Sequence, residues 1–168
     1  MTVLPDLLAA GLDLVIVGTA PGLTSAECRC YYAGIGNRFW HTLHEIGLTP
    51  IVLRPDEYGR LLHYGIGLTD LAKGAFGADA NLKPEDFDRM RLRSVISTTS
   101  PRIVAFNGKR AAGSFLGVPT QKISYGRQQT VIGRTAVYVC PSTSAANGHW
   151  SHEPWEELAR AVKERYTA

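Results

Sequence analysis

Cysteine is scarce in this chain of 168 residues: Cys28, Cys30 and Cys140 are its only three. An odd and unevenly spaced set excludes a disulfide framework, so free thiols in a reducing compartment are expected. No apolar run approaches the roughly 20 residues that a membrane helix needs. The N-terminus lacks the basic, apolar and small-residue succession of a secretory leader. The expectation is a soluble cytoplasmic protein with no membrane partner. Gly-Lys-Ser/Thr is missing, which excludes a Walker phosphate loop. There is no three-glycine dinucleotide fingerprint and no Gly-x-Ser-x-Gly elbow of an α/β hydrolase. Internal repeats, low-complexity tracts and linker-like stretches are also lacking, so residues 1–168 are expected to form a single domain. Nor is there much excess of either charge: 18 Lys and Arg against 15 Asp and Glu give +3 and a pI near 8.8. That balance is compatible with a polyanionic partner but does not require one. Arg29, Arg38, Lys109, Arg110, Lys122 and Arg127 fall in or beside expected loops and helix starts, where they either face such a partner or are ordinary solvated charges.

The runs 14–17, 103–106 and 136–140 are continuous, apolar and rich in β-branched residues. Each ends at Gly, Asn-Gly or Pro, the pattern of strands buried on both faces. Helical patterns lie between and after them, over 37–46, 55–64, 84–98, 109–115 and 152–166. This alternation predicts an α/β fold, a three-layer α/β/α sandwich around a mostly parallel sheet. Gly133-Arg134 marks a tight turn that adds one antiparallel pair between 130–132 and 136–140. In such sheets ligands bind beyond the carboxyl ends of the strands.

Those ends carry Gly18-Thr19-Ala20-Pro21-Gly22 after the first strand, then Tyr31-Tyr32-Ala33-Gly34-Ile35-Gly36-Asn37-Arg38-Phe39-Trp40. After the last strand comes Pro141-Ser142-Thr143-Ser144-Ala145-Ala146-Asn147. From about Leu14 to Asn147 the chain resembles the uracil-DNA glycosylase superfamily. Gly-x-x-Pro-Gly followed by Asn-Arg-Phe-Trp is similar to the mismatch-specific uracil- and thymine-DNA glycosylases. The Tyr-Tyr segment and the last loop resemble the hypoxanthine-DNA glycosylase branch. The resemblance implies a cofactor-free monomer that flips a base out of DNA and hydrolyses its N-glycosidic bond in base excision repair, in a bacterial-type nucleoid. Uracil is the leading substrate; hypoxanthine or mispaired thymine is the alternative, as is a damaged-DNA-binding relative without chemistry.

By this resemblance Gly18, Ala20, Tyr32 and Asn107 bind the base, Tyr32 as the stacking platform with Tyr31 as its neighbour. Tyr32 has an alternative as a half-buried packing residue. Asn107 either presents its amide to a uracil-like edge or caps the following helix. Phe39 and Trp40 belong to the core. Ser142, Thr143, Ser144, Ala145, Ala146 and Asn147 correspond to the loop that contacts phosphates and fills the space left by the base. A bulkier wedge is common where Ala146 stands, so either a weaker grip on duplex DNA or a wedge supplied by a neighbour such as His149 or Trp150 is expected.

The chain departs from the family at the groups that usually position water: Ala20 and Thr19 replace acidic or amide residues, and Ser142 opens the last loop. Asp70, in Gly67-Leu68-Thr69-Asp70-Leu71, is the first candidate to orient water and stabilise the positive sugar. Asn37 is second, through its carbonyl oxygen, and Thr19 is an auxiliary contact. Ordinary capping roles are the alternatives for Asp70 and Asn37. Cys28, Cys30, His41 and His44 carry metal-ligating groups, but their spacing matches no standard zinc site, and three cysteines cannot by themselves hold a four-cysteine cluster. No metal is expected.

Overall fold

A computed structural model describes residues 1–164. Five strands form one sheet: β1 (Leu14–Gly18), β2 (Ile66–Asp70), β3 (Ile103–Asn107), β4 (Gly126–Ile132) and β5 (Thr135–Cys140). Their order is β2-β1-β3-β5-β4. The first four run parallel, and β4 pairs antiparallel with β5 across the Gly133 turn, as the sequence predicts. Five helices accompany them: α1 (Leu23–Cys28), α2 (Phe39–Glu45), α3 (Arg89–Thr99), α4 (Lys109–Leu116) and α5 (Glu153–Lys163).

The apolar strand runs serve two cores at once, because successive side chains point to opposite faces. Leu14, Ile16, Ile66, Leu68, Ile103 and Ala105 pack with Phe39, Trp40 and Leu43 of α2 and with Trp155, Leu158 and Val162 of α5. Val15, Val17, Val104, Phe106, Val137 and Val139 pack with Leu92 and Ile96 of α3 and with Ala111, Ala112 and Phe115 of α4. The result is the three-layer α/β/α sandwich around a mostly parallel sheet. Among the described residues no helix is long and apolar enough to cross a membrane.

Several expected elements differ in detail. The helical pattern of 55–64 is a 3₁₀ helix, Pro55–Tyr64. That of 84–98 divides into a 3₁₀ turn, Pro84–Asp86, and α3, because Asp88 leaves helical geometry and accepts the Arg91 amide at 2.9 Å as an N-cap. The pattern beginning at Asn37 becomes helical only at Phe39. The expected C-terminal helix to residue 166 ends at Lys163 as α5, and residues 165 and 166 lie outside the described residues.

Helix α1 and strand β2 were not foreseen, nor were the short 3₁₀ turns Asp79–Asn81 and Thr120–Lys122. In β2 the sequence Ile-Gly-Leu-Thr-Asp is fully buried although three of its five residues are polar or glycine. The N-terminal segment covers it, with Leu7 and Leu68 exchanging backbone hydrogen bonds of 2.9 and 2.8 Å.

Candidate active site

The connection after β1 leads out to β2, on one side of the sheet, whereas that after β3 leads through α4 to β4 and β5 on the other. The chain therefore parts beyond the carboxyl ends of β1 and β3, which opens a crevice. A cavity of about 500 Å³ lies there. Gly18, Thr19 and Ala20 after β1, Asp70 at the end of β2, and Asn107 at the end of β3 all line it. So do Tyr32, Asn37 and the whole 142–147 loop. Every site residue expected from the sequence thus borders one cavity.

Asp70 pairs in register with Gly18 of the neighbouring strand. A β-carbon on Gly18 would sit 2.6 Å from Asp70 Oδ1 and 3.1 Å from the Tyr32 hydroxyl. Glycine is required there because the carboxylate and the phenol close over its backbone. Asp70 is 3% exposed, and its Oδ2 is buried without a hydrogen-bond partner, as is the Tyr32 hydroxyl. Unpaired buried oxygens on a cavity wall are costly unless they are matched by a partner, and they are placed to accept a ligand's hydrogen bonds. The capping role considered for Asp70 has no hydrogen bond to support it.

Burial pushes the Asp70 carboxyl up to about 7; the nearby Lys73 and Arg91 hold it down and Asp6 pushes it up. These charges form a network behind the strand end. Asp6 pairs with Lys73 and Arg91, both at 2.7 Å, and accepts the Thr69 hydroxyl at 2.5 Å. Arg91 also donates to the Asp70 carbonyl at 2.8 Å and to Thr69 Oγ1 at 3.0 Å, which fixes the end of β2. Burial opposes ionisation of Asp6, but the bonds from Lys73 and Thr69 outweigh it, and its carboxyl lies below the usual range.

Tyr32 has left-handed backbone geometry, φ 53°, and its ring lies on Phe39 with centroids 3.9 Å apart and planes 22° from parallel. A non-glycine residue held in this region costs free energy and persists only where its surroundings impose it. Its phenol is raised well above the usual range by burial and by Asp70. Tyr31 is a core residue: its hydroxyl donates to the Pro5 carbonyl at 2.9 Å, and its own carbonyl accepts the Trp40 indole at 3.2 Å.

Asn107 does not cap α4, whose N-cap is Gly108. Its amide instead pins the last loop: Nδ2 donates to Thr143 Oγ1 and Oδ1 accepts the Thr143 amide, both at 3.0 Å. The amide also lies close enough to the Tyr32 hydroxyl to act against the upward shift of that phenol, and one lone pair of Oδ1 stays available. Thr143, expected with the DNA-facing residues, is buried because its hydroxyl serves Asn107. The hydroxyls of Ser142 and Ser144 accept the amides of Ser144 and Ala146 at 3.2 Å, so the loop is shaped largely by its own bonds. Asn147 Nδ2 closes it on the Ser142 carbonyl at 2.9 Å.

Asn37 borders the cavity, but its carbonyl oxygen accepts the Phe39 amide at 3.0 Å. The capping alternative thus has its bond, and the oxygen expected to hold water is already engaged. Thr19 donates to Asp79 Oδ1 at 2.6 Å. Asp79 is a cavity residue that sequence reasoning missed; it opens a short 3₁₀ turn, Asp79–Asn81, in a stretch without any motif, and the Arg110 guanidinium holds its carbonyl. Of the basic residues considered for a polyanion, Arg110 also binds the Leu82 carbonyl at 3.0 Å. Lys109 sits 4.4 Å from the Tyr125 ring centroid and Arg38 5.2 Å from that of Trp150. Trp150 is therefore covered by Arg38 and packed on the core, so it is not the free wedge expected of it. Among the described residues no three His, Cys, Asp or Glu side chains are placed to hold a metal ion.

The family model of the Uracil DNA glycosylase superfamily matches residues 5–164. Among solved structures, the chain is similar to the solution NMR structure of a "putative Uracil DNA glycosylase from Methanosarcina acetivorans". The two share 22% identity and a TM-score of 0.60 over 95% of this chain and 96% of that one. At that identity the likeness is one of fold, whereas the family model spans nearly all of this sequence. The chain belongs to the Uracil DNA glycosylase superfamily, whose members are DNA glycosylases that act on DNA.

Proposed function

We propose that this protein excises uracil from DNA by hydrolysing the N-glycosidic bond, with Asp70 as the catalytic carboxylate. The observation that carries the reading is the buried Asp70 carboxyl, unpaired at Oδ2 and on the wall of a cavity that also holds an aromatic ring and an amide. An extruded base enters the cavity against Tyr32, and the Asn107 amide meets its polar edge.

As the C1′–N1 bond breaks, the bonding pair leaves with the base and positive charge develops on the deoxyribose. An ionised Asp70 stabilises that charge in a site shielded from water. It also accepts a hydrogen bond from the attacking water. The water oxygen bonds to C1′, its proton passes to Asp70, and the uracil anion takes up a proton on release. The step therefore requires the ionised form and is fastest above the raised pKa.

Single-turnover cleavage of labelled oligonucleotides containing uracil, hypoxanthine or a G·T mismatch, followed by alkali, tests this. Uracil-specific strand scission that falls by orders of magnitude in Asp70→Asn, with DNA binding retained, is expected. Scission only at hypoxanthine or thymine would move the substrate. Binding without scission of any of them would make Ala20 and Ser142 the signature of a damage-binding relative.

A further inference from the structure

The reading of this protein as a glycosylase leaves one physical task unassigned. A base pulled from a duplex leaves a gap that closes again unless an apolar side chain occupies it. The last loop cannot supply that side chain at its exposed tip, because Ala145 and Ala146 carry only methyl groups there. Trp150 is held under Arg38, and His149, although exposed, does not border the cavity.

Ile35 is 97% exposed, yet it borders the cavity. Glycines flank it on both sides, and the Asn37 amide bonds to the Gly34 carbonyl at 3.1 Å, so Ile35 stands at the tip of a tight turn. Gly36, at φ 78°, is where this turn meets the last loop: a β-carbon there would lie 3.1 Å from that of Ala145. The next residue but one anchors the turn to the same loop, since the Arg38 amide donates to the Thr143 carbonyl at 2.8 Å and its guanidinium to the Ser144 carbonyl at 3.4 Å. A bulky aliphatic side chain is thus presented to solvent beside the loop whose own side chains are too small. Leu23, on the same rim at the start of α1, is less exposed, at 59%.

We infer that Ile35 is the wedge that enters duplex DNA and occupies the space vacated by the flipped base. The small side chains of Ala145 and Ala146 then provide clearance for it, and the bare glycines let the turn approach the base stack. Burying an isoleucine between bases favours the opened duplex but has no counterpart on a single strand, where no stack reseals.

The test compares wild type and Ile35→Ala on one uracil oligonucleotide, single-stranded and annealed to its complement. The ratio of duplex to single-strand excision rates is expected to fall by about 10- to 100-fold, the equilibrium worth of one buried aliphatic side chain. Adding Ala146→Leu to Ile35→Ala is expected to restore part of the ratio. An unchanged ratio, whether both rates fall together or neither does, overturns the inference. Fluorescence of 2-aminopurine placed 3′ to the uracil reads base extrusion without chemistry. If the wild type cuts nothing, the glycosylase reading fails, and Ile35 is still judged by whether its alanine variant loses the wild-type fluorescence rise. Absence of that rise in the wild type would overturn the wedge as well.

Discussion

Replacing Asp70 with asparagine separates the cost of burying a charge from its use. The carboxyl is raised from 3.8 to about 7 in the folded protein, with burial the largest cause. The folded chain therefore binds this proton more tightly than the unfolded chain does. Stability falls as pH rises from about 4 toward about 7, and the loss is complete above that value. Asparagine keeps the shape but never ionises. Between pH 5 and pH 8 the variant should gain on the wild type by roughly two pKa units at about 1.36 kcal/mol each, or about 3 kcal/mol. For a chain of this size that corresponds to about 5–10 °C in Tm. Urea and thermal unfolding of both proteins at the two pH values measure it, and all other titrating groups cancel in the double difference. Excision should fall by about 10²-fold or more in the same variant, the usual loss when one charge-stabilising group is removed. A stability gap that does not widen with pH would show that Asp70 is not buried as a reluctant anion, and the argument for its catalytic role would lose its physical basis.

The single-turnover rate of the wild type should drop tenfold per pH unit below about pH 7, following ionisation of Asp70. Asp6→Asn removes a neighbouring anion and should move that limb to lower pH, whereas Lys73→Met should move it higher; a limb that stays in place in both variants would exclude Asp70 as its source. Gly18→Ala should abolish excision, because its methyl group would meet Asp70 Oδ1 at 2.6 Å; wild-type rates would show that the carboxylate can move aside without cost. Tyr32→Ala should weaken capture of the flipped base by roughly 1–3 kcal/mol, read as a raised Kd for DNA with an extruded uracil, while Tyr32→Phe should retain most of the stacking. Equal losses in both Tyr32 variants would assign the effect to the hydroxyl instead.

Strands β1, β3 and β5 were legible because side chains buried on both faces leave an unbroken apolar, β-branched run. Strand β2 was not, because its burial depends on distant partners. Thr69 is satisfied by Asp6, the Asp70 carbonyl by Arg91, and the Leu68 backbone by Leu7, whose carbonyl comes so close to Gly67 that a side chain there would have no room. A local window sees only a glycine, a threonine and an aspartate. Asn107 shows the same limit in the site itself: as a strand-ending residue it suggested a base reader or a cap, yet its partner proved to be Thr143, 36 positions away. Asp79 gave no signal at all, since its place on the cavity follows from a hydrogen bond to Thr19 across 60 residues.

By itself the sequence determined the layers and the family motifs, since periodicity and turn residues act over a few positions. It also brought Gly18, Asn107 and the last loop to strand ends, and in a parallel sheet all such ends lie on one edge; Asp70 joins them only through β2. Only the tertiary structure decided what these groups do to one another: that Asp70 is stripped of water and left with an unpaired oxygen, that Asn107 is committed to the loop, and that Ile35 stands free at the rim. Desolvation and pairing belong to the assembled neighbourhood, whose charges, carbonyls and rings come from segments the chain keeps far apart.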